Sequence, residues 1–194
     1  MIETNRLIIR EMDSSDRDIE ALYAILSDVE VNAYLPWYPL KSVDEAKTYF
    51  QQRIQPKYDA VDEGYYFAVC KKADNKPIGY IAVSGDESHD FGYGLRKDFW
   101  NQGIITEAAA AVIDFLKTKK WSYITATHDR KNPASGAVMK KLGMDYKYSY
   151  NEQWQPKDIL VTFRMYQMNF DGKERTYQQY WEKYSEHFIE DEVQ

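Results

Sequence analysis

The stretch that most constrains this chain is Trp100-Asn101-Gln102-Gly103-Ile104-Ile105-Thr106-Glu107-Ala108. It lies between an alternating aromatic segment, Phe91-Gly92-Tyr93-Gly94-Leu95, and an apolar periodicity that predicts a helix running to about Thr118. A strand, a polar turn with one glycine and a helix start, in that order, make an anion site. The first N–H groups of a helix have no internal acceptor and lie at the positive end of its dipole, so a phosphate or pyrophosphate satisfies them. Gly103 leaves no Cβ in the ligand's path. Neither a three-glycine dinucleotide fingerprint nor a Walker loop is present, because no Lys-Ser/Thr follows the glycine. An ordinary strand-to-helix connection remains the alternative for this segment taken alone.

Composition narrows the classes. A chain of 194 residues suits one domain with a sizeable core. A net charge of −6 argues against nucleic acid as partner. The single Cys70 excludes an intramolecular disulfide and fits a reducing compartment; set in Tyr66-Phe67-Ala68-Val69-Cys70, it reads as a buried, inert thiol. The N-terminus lacks an apolar signal region and no stretch is long enough to span a membrane, so the expectation is a cytoplasmic protein with no membrane partner. Three histidines and one cysteine show no metal-ligand spacing, so no metal is expected. His128, beside Asp129 and Arg130, reads as a solvated strand end.

Along the chain, Leu7-Ile8-Ile9 predicts a first strand. Asp13 to Asp16 offers caps for a helix carrying Ile19, Leu22, Ile25 and Leu26. Ser42-Val43-Asp44-Glu45 has the capping-box pattern, with a helix to about Ile54. Tyr65 to Cys70 and Ile78 to Val83 predict strands joined by a turn at Ala73 to Lys76, and Trp121 to His128 another. A helix is expected over Pro133 to Leu142 and a final long strand over Ile159 to Met168. The expected architecture is α+β, a mixed, mostly antiparallel sheet with helices on both faces. In the tail, Tyr177, Tyr180, Trp181, Tyr184 and Phe188 share one face at helical spacing, predicting a helix from about Thr176 to Ile189. That stripe must be buried against its own domain, against a second subunit of a homodimer, or as a wall of a substrate cleft.

A second segment, Asn132-Pro133-Ala134-Ser135 followed by Lys140-Lys141-Leu142-Gly143-Met144, gives the first its meaning. Together they resemble the GNAT acyl-CoA N-acyltransferases, most of all the RimJ/RimL-like branch. There a Trp-x-x-Gly-x-x-Thr-Glu-Ala turn binds the coenzyme A pyrophosphate, and an Asn-x-x-Ser pair opens a helix ending Lys-Leu-Gly-Phe. Thr4 to Arg10, Asp28 to Val31 and Leu35-Pro36-Trp37 extend the likeness over residues 1–170, leaving 171–194 as a C-terminal aromatic helical extension. Ile105 stands where a small residue is usual, and Met144 replaces Phe.

The resemblance implies acetyl transfer from acetyl-CoA to a primary amine by direct attack in a ternary complex. A protein or peptide N-terminus is the first acceptor class; a polyamine or aminoglycoside-like amine is the second. A catalytically reduced acyl-CoA-binding module is a third reading, supported by Ile105 and by a missing carboxylate. The resemblance gives Gln102, Gly103, Ile104, Ile105 and Thr106 the pyrophosphate, Gly94 and Leu95 the pantetheine arm and thioester carbonyl, and Asn132 the pantetheine amides. Ser135 would protonate the leaving thiolate. The general base is poorly marked: the position used in RimL-like enzymes holds Trp154, and Glu152 lies two residues earlier.

Overall fold

Period-two alternation and capped helical stripes sort this chain into two sheets and six helices, in a computed structural model that describes residues 1–60, 63–119 and 121–193. The order is β1 (Ile2–Glu3), β2 (Leu7–Arg10), α1 (Asp16–Leu26), α2 (Val43–Tyr49), α3 (Gln55–Asp59), β3 (Gly64–Lys71), β4 (Pro77–Ser84) and β5 (Phe91–Leu95). Then follow α4 (Ile104–Thr118), β6 (Tyr123–Asp129), α5 (Pro133–Lys141), β7 (Asp145–Trp154), β8 (Ile159–Asn169), α6 (Gln179–Lys183) and β9 (His187–Phe188). The strand expected first is therefore the second.

The caps act as the sequence predicts. Ser15 Oγ accepts from the Asp18 N–H at the start of α1, and Ser42 Oγ accepts from the Glu45 N–H at 3.1 Å. Glu45 completes its half of the exchange one residue early, on the Lys41 N–H (2.7 Å). The helix expected to end near Ile54 instead widens to π geometry over Phe50–Ile54 and continues to Asp59. Pro56 does not stop it, because it falls in the first turn of α3, where a missing N–H costs little.

One sheet runs β1-β2-β3-β4-β5 and the other β6-β8-β7-β9, with every paired strand antiparallel. They meet at a single parallel bridge, Asp90 to Thr125. There the Thr125 N–H donates to the His89 carbonyl (3.3 Å) and Thr125 Oγ to the Ser88 carbonyl (2.8 Å). Past the bridge, β5 and β6 belong to different sheets and a wedge opens between them. One face of both sheets packs on α4 and α5 in a core that includes Phe91, Leu95, Val112, Ile124, Met139 and Tyr166. On the opposite face, α1 and the π segment cover the first sheet over Tyr66 and Tyr80. The tail covers the second over Tyr148, Tyr150 and Phe163.

The tail docks on its own domain, but not as one helix. α6 is a single short helix, and β9 then adds to the edge of β7 through Ser149–Phe188 and Tyr150–His187. Ladder bonds to that open edge compete with continued helix, and Tyr184 is already extended. Tyr177, Tyr180, Trp181 and Tyr184 pack inward, while Phe188 stays 37% exposed. Two smaller readings also resolve. Cys70 is buried, with its thiol pushed up to about 11 by burial, as an inert thiol requires. His128 is not solvated: it is 4% exposed beneath Gly136, where a Cβ would come within 2.6 Å of its Nε2. Burial holds its imidazole below the usual value.

Candidate functional site

The mouth of the wedge and the start of α4 form one cleft of about 590 Å³. Asn101 and Gly103 both take left-handed backbone, with φ of 59° and 70°. That pair of turns throws the chain out of the Lys97–Phe99 3-10 turn and into α4. The first helical bond runs from the Glu107 N–H to the Gly103 carbonyl (3.0 Å), and no side chain caps this end. The N–H groups of Ile104, Ile105 and Thr106 therefore precede the helical ladder and stand open to an anion. Gly103, Ile104, Ile105 and Thr106 all line the cleft. Gln102 does not: its side chain donates back to the Asp98 carbonyl (3.0 Å) and its own carbonyl accepts from Arg6 (2.9 Å).

Glu107 is tied down rather than poised. Its carboxylate accepts from Thr4 Oγ1 (2.5 Å), the Arg6 N–H (3.1 Å) and Arg6 Nε (2.7 Å). Burial pushes its carboxyl up, but these bonds outweigh it and the net shift is downward. β2 thereby clamps the turn, and Arg6 brings a cation beside it in an otherwise acidic protein.

On the other wall, β5 is a free edge. Ser84 N–H donates to the Asp90 carbonyl and Arg96 N–H to the Ile78 carbonyl, so even-numbered residues between them point their polar groups at β4. By the alternation of an antiparallel ladder, the N–H groups of Tyr93 and Leu95 face the wedge. They can pair with an extended amide chain as a further strand would. Gly94 has a different reason to be glycine: an added Cβ would lie 2.5 Å from the Tyr80 ring, on the face away from the cleft.

Asn132 caps α5, its Oδ1 accepting from the Ser135 N–H at 3.4 Å. Ser135 lies one turn on and lines the same cleft. The structure adds a partner that the sequence reading missed. The Tyr93 hydroxyl reaches across the wedge, donating to the Ser135 carbonyl (2.8 Å) and lying 3.0 Å from Ser135 Oγ. Burial holds that phenol well above its usual value, so it stays protonated. Tyr93 alternates with Phe91 and Leu95 and reads as core; only the tertiary fold exposes its hydroxyl to Ser135.

Glu152 is not brought to the cleft. It lies on β7 facing the tail, where burial first and Glu152 after it hold the Tyr184 hydroxyl high. Ile105, bulkier than the residue usual there, is 7% exposed, its side chain seated in the core from the first turn of α4. Among the described residues no group of His, Cys, Asp and Glu is arranged to hold a metal, and no helix is long and apolar enough to cross a membrane.

Residues 6–145 match the acetyltransferase (GNAT) domain. The chain is similar to the uncharacterized N-acetyltransferase YoaA of Bacillus subtilis (strain 168), 25% identical over 148 residues that cover 74% of this chain and 81% of YoaA. In fold it is similar to RimL, a ribosomal L7/L12 alpha-N-protein acetyltransferase solved with coenzyme A. That likeness has a TM-score of 0.75, at 17% identity over 88% of this chain and 97% of RimL. It is also similar in fold to the spermidine N-acetyltransferase of Vibrio cholerae, solved with coenzyme A and spermine (TM-score 0.71, 13% identity, 86% and 96% covered).

Proposed function

The chain belongs to the GNAT acetyltransferase family, and from that premise we propose that it acetylates the α-amino group of a protein or peptide N-terminus, in the manner of the RimJ/RimL-like branch. Acetyl transfer from acetyl-CoA to an amine is the family reaction. The observation that carries the reading is the joining, in one cleft, of the open α4 N-terminus, the free edge of β5 and the Asn132–Ser135 turn.

Acetyl-CoA supplies the thioester that the amine attacks. The N–H groups from Gly103 to Thr106 would hold its pyrophosphate, and Lys141, on the cleft wall, adds positive charge. The N–H groups of Tyr93 and Leu95 would bond the pantetheine arm and polarise the thioester carbonyl, an electrostatic role worth about 2.7–4 kcal/mol where single donors have been removed. Asn132 would bond the arm while capping α5. Ser135 Oγ would give its proton to the departing sulfur. Seating Ile105 in the core removes one support of the binding-module reading.

The test is release of free coenzyme A thiol in a screen of peptides with different N-terminal residues, run beside polyamines. Turnover on peptides above polyamines is expected. Turnover on polyamines alone would move the acceptor to the small-amine class, and tight binding with no thiol release would leave a binding module. The site itself is checked separately. Gly103→Val should weaken coenzyme A binding at least tenfold, about 1.4 kcal/mol, because a β-branched residue resists φ of 70° and fills the anion's place. Unchanged affinity by calorimetry in a folded Gly103→Val protein would put the site elsewhere.

A further inference from the structure

The face of β5 opposite the coenzyme cleft holds a buried carboxylate, Asp90, with one oxygen left unpartnered. Phe91, Tyr93 and Leu95 pack toward α4, so Asp90, Gly92 and Gly94 face the other way. Asp90 sits at the apex of the wedge, on the bridge to Thr125. Its Oδ1 is sealed from solvent and has no hydrogen-bond partner among the described residues. The Thr127 N–H serves the carboxylate as a whole, yet a group kept for structure alone would have both oxygens bonded, since burying a polar atom without a partner costs about 1–3 kcal/mol.

The space beside it is shaped for an incoming group. At Gly92 an added Cβ would meet nothing within 4 Å, so the strand surface is bare between Asp90 and the Tyr93–Leu95 edge. On one side stand Tyr66 and Tyr80, stacked at 5.4 Å. On the other stand Tyr150, Tyr180 and Tyr184, with Tyr150 stacked on the other two at 5.2 and 4.8 Å. The β7–β8 turn reaches back across this face, Lys157 Nζ donating to the Asn32 carbonyl (3.0 Å). Aromatic walls around a buried carboxylate suit a primary ammonium.

We propose that Asp90 is the proton acceptor for the amine nucleophile, which reaches the thioester across the bare strand surface at Gly92. The proposal rests on the acetyl-transfer reading above. An ammonium acceptor gives one proton to Asp90, and its freed lone pair attacks the thioester carbonyl carbon. The N–C bond forms, the C–S bond breaks, and the second nitrogen proton replaces the one that Ser135 hands to sulfur. The products are the acetamide and coenzyme A thiol, and Asp90 gives up its proton when the acetamide leaves and water takes its place over Gly92.

The groups around Asp90 are consistent with this work. Burial, and then the Asp86 charge, raise its carboxyl to about 7, with the Thr127 N–H opposing them. That is close to an α-amino group near 8, which is where a general base is effective. His89 stacks on Trp121 (4.3 Å) beside it. The hydroxyls of Tyr93, Tyr150, Tyr177 and Tyr180 are held high by burial first and by Asp90 among their neighbours, so none competes for the proton. Glu152 is engaged with Tyr184 on the tail side.

The test is kcat/KM against pH for the best amine of the screen, with coenzyme A affinity measured by calorimetry. Asp90→Asn should lower kcat/KM at pH 7 by at least one hundredfold and leave coenzyme A affinity within twofold, within the roughly 10²–10⁴ range for a general base. Its remaining rate should follow only the amine's own deprotonation, whereas the parent profile carries a second group near 7. Asp90→Glu should recover part of the rate. Gly92→Leu, which fills the bare surface without touching the carboxylate, should raise KM for the amine at least tenfold. An Asp90→Asn rate within threefold of the parent with the same pH profile would overturn the proposal. If that variant does not fold, an unchanged amine KM in Gly92→Leu would overturn it. A parent that turns over no amine would instead sink the acetyl-transfer reading, and this proposal with it.

Discussion

Removal of residues 173–194 is expected to lower the melting temperature by roughly 6–12 °C, about 3 kcal/mol for a domain of this size. The cut takes away Tyr177, Tyr180, Trp181 and Tyr184, and so bares Tyr148, Tyr150 and Phe163 on the second sheet. Aromatics of this kind dominate packing energetics; the net figure stays small because freeing the tail returns its conformational entropy. The cut also removes a hook at the chain end. Glu190 accepts from Arg164 Nη2 (2.6 Å) and Nε (3.0 Å) and from Ser149 Oγ (2.7 Å), and its N–H donates to Tyr146 (3.0 Å). Arg164 first, against the opposing effect of burial, and then Ser149 hold the Glu190 carboxyl below its usual range. A folded value below the unfolded one gives stability that is present above about pH 4.3 and is lost as pH falls through the folded value. The melting difference between parent and truncated protein should therefore shrink below about pH 4. An equal melting temperature and elution volume at neutral pH would show that the tail does not hold this face.

How much of this was readable in advance depends on how local the cause is. The α4 turn was legible because its determinants are neighbours: one glycine between a strand and a helix fixes both the positive φ and the open N–H groups. The caps at Ser15 and Ser42 and the α5 start at Asn132-Pro133 were legible for the same reason. The tail was misread because its helical stripe is real, yet β7 offers an open edge that sequence spacing does not reveal, and the ladder wins after Tyr184. His128 was misread because its burial depends on Gly136, a residue of the next helix. Tyr93 and Asp90 were invisible as site residues: one alternates with core aromatics, and the other is an ordinary acid before a strand until β6 bridges to it. Gly94 lines the cleft, but the reason for its missing Cβ, the Tyr80 ring on the other face, is a tertiary neighbour that spacing does not reveal.

Ser135→Ala is expected to cut kcat by roughly ten- to a thousandfold while leaving coenzyme A affinity nearly intact. The hydroxyl is placed for chemistry more than for binding. The phenol of Tyr93 has one proton, and the shorter contact, 2.8 Å, directs it to the Ser135 carbonyl. Ser135 Oγ then donates to the phenol oxygen at 3.0 Å. That bond holds the serine proton at the wedge until a thiolate offers a stronger acceptor, and a charge-assisted bond is roughly twice as strong as a neutral one. The gain exists only as sulfur leaves, so the loss should fall on kcat and not on KM. Tyr93→Phe separates the two hydroxyls. It removes the bond that aims Ser135 but keeps the serine proton, so its effect should be smaller than that of Ser135→Ala. If Tyr93 itself were the acid, Tyr93→Phe would be the worse variant and Ser135→Ala nearly silent. The measurement is single-turnover acetyl transfer for both variants with the best amine, where release steps do not mask chemistry. A Ser135→Ala rate within twofold of the parent would reduce Ser135 to a helix-turn residue and leave Tyr93 or solvent to protonate the sulfur.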